Sequence, residues 1–311
     1  MNYKIICFDG GGLKGLSSIV IMRRLYEAVP ELFNADLWSG TSTGGIIALA
    51  LANKGSTKLE YTDPPGGAIS MPQTDADRLA AVEKLYYDKG KDIFKKKRFN
   101  LWNLFSSKYS NKTLRKLLHE FFGEVTLGEI SPVLIPAFDL DRTHTYRKWA
   151  PKFFDNLGEV DKNICVEDVA AYTSAAPTFF PSVDGFIDGG VCANNPSMSA
   201  VTAALDKCDT CLSKIRVLSI GTGQGLQYIK GSPNWGYYKW APKLLDVLFD
   251  GIVDVPDFQC KAILKNHYCR INPKLGNVPK IDDWKARDYL VEVGNTVNLD
   301  LAVEWLQKEW V

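Results

Sequence analysis

Hydrophobic positions near the start of the chain follow a strand–turn–helix pattern that occurs twice. Tyr3 to Phe8 is a short apolar run with β propensity, and after a glycine cluster the apolar residues over 13–20 recur at helical spacing. Leu37 to Gly40 is a second apolar run, and Ile46 to Ala52 begins a helix after another glycine cluster. Two such units predict an α/β fold with functional loops at the carboxyl ends of the strands.

The middle of the chain contains one long polar stretch and several regular elements. Residues 53–77, which include Asp63-Pro64-Pro65-Gly66-Gly67, are predicted to form a long loop. Further elements are predicted as helices over 77–90 and 112–122 and as strands over Val133 to Phe138 and Ile215 to Ile220. No repeat or linker interrupts this pattern, so we expect a single domain over residues 1–311.

The last part of the chain has a regular apolar spacing. Leu290, Val293, Val297, Leu301 and Trp305 recur every three or four residues. This spacing predicts one long terminal helix with a single face on the core.

Composition is that of an ordinary globular protein. The chain has 311 residues, of which 46% are hydrophobic and 23% charged, and its formal net charge is +1. This charge gives no overall attraction for nucleic acid, so no nucleic acid polymer is expected as a partner. The first residues leave no room for a cleavable leader, and the longest apolar stretch is too short to span a bilayer. We therefore expect a cytoplasmic protein that contacts a membrane only peripherally.

The cysteines predict neither a disulfide framework nor a metal site. There are seven, an odd number, and Cys208 and Cys211 form a CxxC pair without a second ligand pair nearby. Two reduced thiols near a helix end are the favoured interpretation. No metal and no cofactor is predicted.

The first glycine cluster, Asp9-Gly10-Gly11-Gly12-Leu13-Lys14-Gly15, formally fits the GxGxxG pattern of dinucleotide-binding proteins. Consecutive glycines allow a sharp turn whose N–H groups point outward beside a helix N-terminus. Such a loop can hold a phosphate or the oxyanion of an acyl-transfer intermediate. A P-loop is excluded, because Lys14 precedes Gly15 instead of following it.

The second glycine cluster carries a serine. Gly40-Thr41-Ser42-Thr43-Gly44 is a G-x-S-x-G motif between a predicted strand and a predicted helix, which is the context of a nucleophile elbow. A dinucleotide-binding fold gives no reason for this motif. Ser42 is therefore a candidate nucleophile.

A serine nucleophile requires a base, and the histidines are poorly placed for that role. His119 and His144 precede the best acidic candidate, and His267 lies in a segment that reads as an ordinary strand. Asp188 follows a short apolar run and precedes Gly189 and Gly190, which leave its carboxylate uncovered. Asp188 is the favoured candidate, although an Asp-Gly-Gly sequence alone is a common turn.

These blocks, in this order, resemble those of the patatin-like phospholipase family. The resemblance extends to Ser174 through Pro181, Ala193-Asn194-Asn195-Pro196 and Leu218 through Gly223, and to Leu85-Tyr86 before Ile93-Phe94. It implies a three-layer α/β fold with a central, mostly parallel sheet flanked by helices. Lys14 stands where many members have arginine, which keeps the charge but loses the planar guanidinium.

The resemblance implies a lipid acyl hydrolase of the phospholipase A or lysophospholipase type that uses a Ser-Asp dyad. Ser42 would attack the acyl carbonyl and Asp188 would accept its proton. The backbone N–H groups of Gly10, Gly11 and Gly12 would form the oxyanion hole. The alternatives are a dinucleotide-binding protein and a catalytically silent interaction protein of the same family.

Two kinds of partner follow from this interpretation. A phospholipid or lysophospholipid substrate lies at a membrane surface, and the candidate contacts are Lys95, Lys96, Lys97, Arg98 and Trp102, which combine cations with an aromatic residue. Trp235 through Trp240 is a second aromatic stretch of this kind. Because the family includes bacterial anti-phage effectors that a cyclic nucleotide switches on, such an activator is a further hypothesis, although no sequence motif identifies its pocket.

Overall fold

The computed structural model describes residues 1–54, 74–94, 107–140, 148–225 and 234–311. Within these ranges, one sheet contains seven strands: β1 (Tyr3–Phe8), β2 (Leu37–Gly40), β3 (Val133–Asp139), β4 (Ala150–Asp155), β5 (Phe186–Asp188), β6 (Ile215–Ile220) and β7 (Tyr268–Ile271). The α-helices are α1 (Gly15–Ala28), α2 (Thr43–Ala52), α3 (Asp75–Ile93), α4 (Asn111–Phe122), α5 (Val166–Thr173), α6 (Gly190–Ala193), α7 (Ser197–Lys207), α8 (Tyr237–Leu264), α9 (Arg287–Thr296) and α10 (Asp300–Glu309).

The sheet is mixed and mostly parallel, with β1 near its centre. The strand order is β4-β3-β2-β1-β6-β7, and β5 pairs with β3 beside this path. The strands β3, β2, β1, β6 and β7 are parallel to one another. The strands β4 and β5 both run antiparallel to β3. This arrangement confirms the predicted fold class.

Helices cover both faces of the sheet, and the alternation of side chains along β1 shows why. Ile6 and Phe8 belong to a core that includes buried residues of α1, α2, α3 and α5. Ile5 and Cys7 point to the other face and join a second core with α7 and α8. Because successive side chains of a strand point to opposite faces, one buried strand serves both cores.

Two strands meet end to end along one edge of β3. The strand β2 pairs with the beginning of β3, where Ser39 lies opposite Leu134. The strand β5 enters from the other direction and pairs with the end of β3, where Asp188 lies opposite Ala137. Since β4 occupies the other edge of β3, the carboxyl ends of β2 and β5 are directed toward each other.

Most predicted elements are confirmed. The strands β1, β2 and β6 have the predicted bounds, β3 extends one residue further, and α4 begins one residue earlier. The helix α3 is longer than predicted, because Thr74 and Asp77 form a reciprocal capping box that begins it before residue 77. Of the predicted loop over 53–77, residues 55–73 lie outside the described residues.

The prediction of one long terminal helix is wrong. Two helices, α9 and α10, are separated by an extended Val297, and Leu301 is 81% exposed instead of packing on the core. Arg24 Nη1 donates to the carbonyls of Gly294 and Val297, both at 2.8 Å, which satisfies the end of α9. Asn298 then accepts the N–H of Asp300, so a new helix begins there.

Two further observations concern membrane-spanning helices and the CxxC pair. No helix among the described residues is long and apolar enough to cross a membrane. Cys208 and Cys211 are free thiols that follow the end of α7, and no cluster of three or more potential metal-ligating side chains occurs in the described ranges.

Candidate active site

Ser42 occupies a strained turn between β2 and α2. Its φ of 55° lies in the left-handed region, which is costly for a residue with a side chain. Gly40 and Gly44 make the turn possible. A Cβ on Gly40 would lie 2.0 Å from the carbonyl oxygen of Gly44, and a Cβ on Gly44 would lie 2.3 Å from that of Phe8. The structure therefore has the local geometry of a nucleophile elbow.

Ser42 and Asp188 are in direct contact. The Oγ of Ser42 donates a hydrogen bond of 2.6 Å to Oδ2 of Asp188, while Oδ1 accepts the N–H of Gly190 at 2.7 Å. The contact follows from the opposed directions of β2 and β5, which end three residues apart along β3, opposite Leu134 and Ala137. Residues that are 146 positions apart in sequence are thus joined by the sheet.

Burial changes the acidity of the Asp188 carboxyl. The side chain is 3% exposed, and this burial raises its pKa from 3.8 to about 7, against the opposing effect of its hydrogen bonds with Ser42 and Gly190. A carboxylate with this pKa is a much stronger base than an exposed aspartate.

Thr173, which sequence reasoning missed, holds the backbone of the elbow. Its Oγ1 accepts the N–H of Ser42 at 2.9 Å and donates to the carbonyl of Pro136 at 2.6 Å. Thr173 lies at the end of α5 and is fully buried. It therefore bridges the elbow to β3 in the gap between β2 and β5.

The glycine loop, defined as Gly10, Gly11 and Gly12, lies beside Ser42. The N–H of Gly10 donates to the carbonyl of Asn194 at 2.9 Å, so this group is already engaged. Among the described residues, no acceptor for the N–H groups of Gly11 and Gly12 is found. Gly12 has a φ of +60°, and a Cβ there would lie 2.3 Å from the carbonyl oxygen of Ile281. These two N–H groups therefore differ from that of Gly10, which is engaged within the protein.

A buried ion pair fixes the start of the glycine loop. Arg270 on β7 contacts both carboxylate oxygens of Asp9, and its Nη1 also donates to Ser219 Oγ at 2.7 Å. The side chains of Arg270 and Asp9 are 7% and 2% exposed. Sequence reasoning missed this pair, because Arg270 lies in a segment that reads as an ordinary strand.

A cleft of about 1150 Å³ opens over these groups. Tyr86 of α3 forms part of its wall and is fixed by hydrogen bonds with Thr43. The apolar side chains that line the cleft include Ile46, Ile93, Phe94, Leu114, Phe179, Phe180, Phe249 and Val253. Charged side chains such as Lys108, Lys280 and Asp282 also line the cleft, so it suits a ligand with both polar and apolar parts.

Comparison with known proteins shows the family to which this chain belongs. The family model described as "Patatin-like phospholipase" matches residues 6–201. The chain belongs to the patatin-like phospholipase family. Patatin-like protein 3 of Arabidopsis thaliana is 28% identical over 94% of this chain and 80% of that protein. The "cGAMP-activated phospholipase" of Pseudomonas aeruginosa (strain BWHPSA011 / Pa011) is 28% identical over 96% of this chain and 86% of that protein, and "Protein teg" of Priestia megaterium is 26% identical over 99% of each.

Membership of the patatin-like phospholipase family excludes the dinucleotide-binding interpretation of the glycine cluster. Asn194 and Thr222, which belong to two of the sequence blocks that resemble this family, both contact Gly10. Thr222 Oγ1 donates to the Gly10 carbonyl at 3.0 Å. The supporting blocks thus shape the glycine loop of this patatin-like chain.

The described histidines lie away from the cleft. His119 pairs with Glu167 through a 2.8 Å contact and is exposed, and His267 lies in a turn before β7 near Glu309. None of the described residues that line the cleft is a histidine. His144 lies outside the described residues.

The predicted membrane contacts can be placed only in part. Lys95, Lys96, Lys97, Arg98 and Trp102 lie outside the described residues. Of the second aromatic stretch, Trp235 and Trp240 are described, and their rings are in edge-to-face contact with centroids 5.5 Å apart. Trp240 belongs to the first turn of α8.

Proposed function

We propose that this patatin-like protein is a lipid acyl hydrolase of the phospholipase A or lysophospholipase type, with Ser42 as nucleophile and Asp188 as general base. The observation that carries the proposal is the 2.6 Å hydrogen bond from Ser42 Oγ to the Asp188 carboxylate, in an elbow beside unpaired glycine N–H groups. Membership of the patatin-like phospholipase family supports it independently.

In the first half of the reaction, Ser42 Oγ bonds to the acyl carbon while its proton moves to Asp188. The carbonyl oxygen becomes an oxyanion, for which Gly11 and Gly12 supply the N–H donors. Donors of this kind are typically worth about 2.7–4 kcal/mol each. The intermediate collapses when the bond to the leaving oxygen breaks, and that oxygen takes the proton from Asp188.

In the second half, water removes the acyl group. Asp188 accepts a proton as the water oxygen bonds to the acyl carbon, the Ser42 ester bond breaks, and Ser42 regains its proton. The products are a free fatty acid and the deacylated lipid. A carboxyl whose pKa is about 7 is ionised for a large part of the time at neutral pH and binds a proton readily, as this cycle requires.

The test is fatty acid release from mixed phospholipid vesicles, measured by mass spectrometry, for the wild type beside Ser42→Ala. We expect release by the wild type alone, with both proteins equally stable to heat. Equal release by Ser42→Ala would contradict the assignment. A wild type that stays silent on vesicles and on soluble esters, with and without the cyclic nucleotides tested below, and that no fluorophosphonate labels at Ser42, would favour a catalytically silent family member.

A histidine base is tested separately. The triple variant His119→Gln, His144→Gln and His267→Gln is expected to keep the wild-type kcat, because Ser42 contacts Asp188 directly. A large loss of kcat in a folded triple variant would indicate a conventional triad.

The relative described as a cGAMP-activated phospholipase supports a regulatory extension of the proposal, in which a cyclic nucleotide increases activity. The vesicle assay is repeated with a panel of cyclic di- and trinucleotides. Stimulation by one of them, absent in Ser42→Ala, is the expected result. Full activity without any nucleotide, unchanged by every member of the panel, would exclude this regulation.

A further inference from the structure

The long helix α8 has an inner face that is fixed to the candidate active site. Asn194 Nδ2 donates to the carbonyl of Phe249, and Asn195 Nδ2 donates to that of Val253, both at 3.1 Å. Phe249 and Val253 also line the cleft. The segment that follows α6 therefore holds one side of α8 against the cleft, and this fixes which side faces outward.

The outer face of α8 is apolar and exposed. Each of its apolar residues lies three, four or seven positions from another one, a spacing that places their side chains on one side of the helix. This apolar face of α8 consists of Leu244, Val247, Leu248, Val255 and Phe258. Their side chains are between 43% and 73% exposed, and Phe258 is the most exposed. Several large apolar residues on one exposed helix face indicate a surface that meets an apolar partner.

The apolar face reaches the part of α8 that forms the cleft wall. Lys243 and Asp250 line the cleft, and Val247 of the exposed face lies about one helical turn from each of them. A partner that covers this face therefore lies directly beside the cleft. Trp240 lies one helical turn before Leu244 and extends the face with an aromatic ring of the type enriched at membrane interfaces.

The sequence of α8 has four aspartates and three lysines, so its formal charge is slightly negative. Its described side chains include three lysines, Lys239, Lys243 and Lys261, and three aspartates, Asp250, Asp254 and Asp257. Lys261 is paired with Asp257 at 2.6 Å. This helix therefore offers little net attraction for anionic headgroups, and contact with a bilayer would come from burial of apolar area.

We propose that the apolar face of α8 is the surface by which this protein lies on a lipid bilayer, with the adjoining cleft open to the lipid. The inference rests on the proposed lipid substrate, since a water-insoluble ester must be collected from a bilayer. Five exposed apolar side chains beside the cleft provide that contact. The alternative occupant, a second copy of the chain, would cover the same face without bringing lipid to the cleft.

Binding is tested without turnover, in full-length protein that carries Ser42→Ala. Co-sedimentation with vesicles of phosphatidylcholine is compared with and without the additional changes Val255→Ser and Phe258→Ser. Loss of two apolar side chains that the bilayer would bury should lower the partition coefficient at least ~10-fold. Leu301→Ser is the matched control, because Leu301 is an exposed leucine on a different helix, α10. It should leave the partition coefficient unchanged.

The salt and lipid dependence separates this surface from a basic one. Binding through the apolar face of α8 should persist at high salt and should change little when anionic lipid is added. Binding that requires anionic lipid, disappears at high salt and is unaffected by the α8 changes would overturn the proposal. A wild type that sediments as a dimer, which the same changes dissociate without altering vesicle binding, would overturn it in favour of self-association.

A soluble ester distinguishes failure of this proposal from failure of the proposed function. With Ser42 intact, Val255→Ser with Phe258→Ser should hydrolyse a short-chain, water-soluble ester at the wild-type rate and should lose vesicle hydrolysis. Inactivity of the wild type on both substrates would reject the proposed function, while the co-sedimentation result would still decide the surface. Equal vesicle hydrolysis by the wild type and the variant would reject the surface.

Discussion

Asp9 and Arg270 form a buried two-point ion pair at the carboxyl ends of β1 and β7, directly before the glycine loop. Ser219 joins the pair through a hydrogen bond with Arg270, so three neighbouring strands are connected at this point. The pair fixes the position of Asp9, the residue that directly precedes the glycine loop. Its cost is the removal of two charges from water.

Arg270→Met is expected to lower the free energy of unfolding by roughly 3–5 kcal/mol, because it leaves the Asp9 carboxylate buried without its partner. Urea unfolding measures the change. Adding Asp9→Asn to Arg270→Met should recover part of the loss, since the unpaired charge is then removed. A double variant whose loss equals the sum of the two single losses would show that the pair is not coupled.

The rate of ester hydrolysis is expected to depend on the ionisation of Asp188. Because burial raises its pKa to about 7, kcat/KM for a soluble ester should rise with pH below about 7 and level off above it. The measurement is a pH–rate profile. The triple histidine variant should give the same profile, and a profile that shifts in this variant would assign the midpoint to a histidine instead.

The same ionisation should affect stability. The folded protein keeps a proton on Asp188 that the unfolded chain releases above about pH 4, so the stabilising contribution is complete below that pH and is lost as the pH rises through about 7. The difference between the ordinary pKa of 3.8 and the folded-state pKa of about 7 corresponds to a contribution to the free energy of unfolding of roughly 4 kcal/mol, at about 1.4 kcal/mol for each pKa unit.

Asp188→Asn should therefore stabilise the protein at pH 8 and have little benefit at pH 4. Melting temperatures of the variant and the wild type at the two pH values measure the difference. An identical difference at both values would mean that the folded-state pKa of Asp188 is not raised.

Thr173→Val is expected to reduce both stability and activity, because the valine cannot accept the N–H of Ser42 or donate to the carbonyl of Pro136. An unpaired buried backbone group typically costs about 1–3 kcal/mol. Urea unfolding and turnover of a soluble ester measure the two effects. Thr173→Ser is the matched control, since it keeps the hydroxyl, and it should retain most of both properties. Equal losses in the two variants would contradict a role for the hydroxyl, because only Thr173→Val removes it.

Gly12→Ala tests the glycine loop. The alanine would need a φ of +60°, and its Cβ would lie 2.3 Å from the Ile281 carbonyl oxygen, so the loop must move. Loss of one oxyanion donor should lower kcat by about 10²–10³-fold. Gly276→Ala is the control, because Gly276 also lines the cleft but has no atom within 4 Å of an added Cβ. Similar kcat values for the two variants would exclude Gly12 from the oxyanion hole.

The sequence indicated the local geometry of the site correctly because that geometry depends on neighbouring residues. Gly40 and Gly44 flank Ser42 closely enough for the strained turn to be visible as a motif, and the run from Tyr3 to Phe8 could be assigned to a strand from its own side chains. Such features depend on steric limits of the backbone, which act over a few residues.

The terminal helix shows where local patterns fail. The spacing from Leu290 to Trp305 predicted one helix, but Arg24 satisfies carbonyl groups at the end of α9, and α10 turns Leu301 into solvent. The contact that ends the helix comes from a residue more than 250 positions away, and a local spacing contains no information about it.

By itself, the sequence determined the elements on either side of Ser42 and of the glycine loop, because the glycines and the apolar runs permit few other local structures. Only the tertiary structure decided that β2 and β5 meet end to end along β3, which brings Ser42 within 2.6 Å of Asp188. It also buried Asp188, raised its pKa and engaged the N–H of Gly10 with Asn194. The physical reason is that burial, electrostatics and hydrogen-bond partners depend on which distant segments are packed together, and strand pairing sets that in this fold.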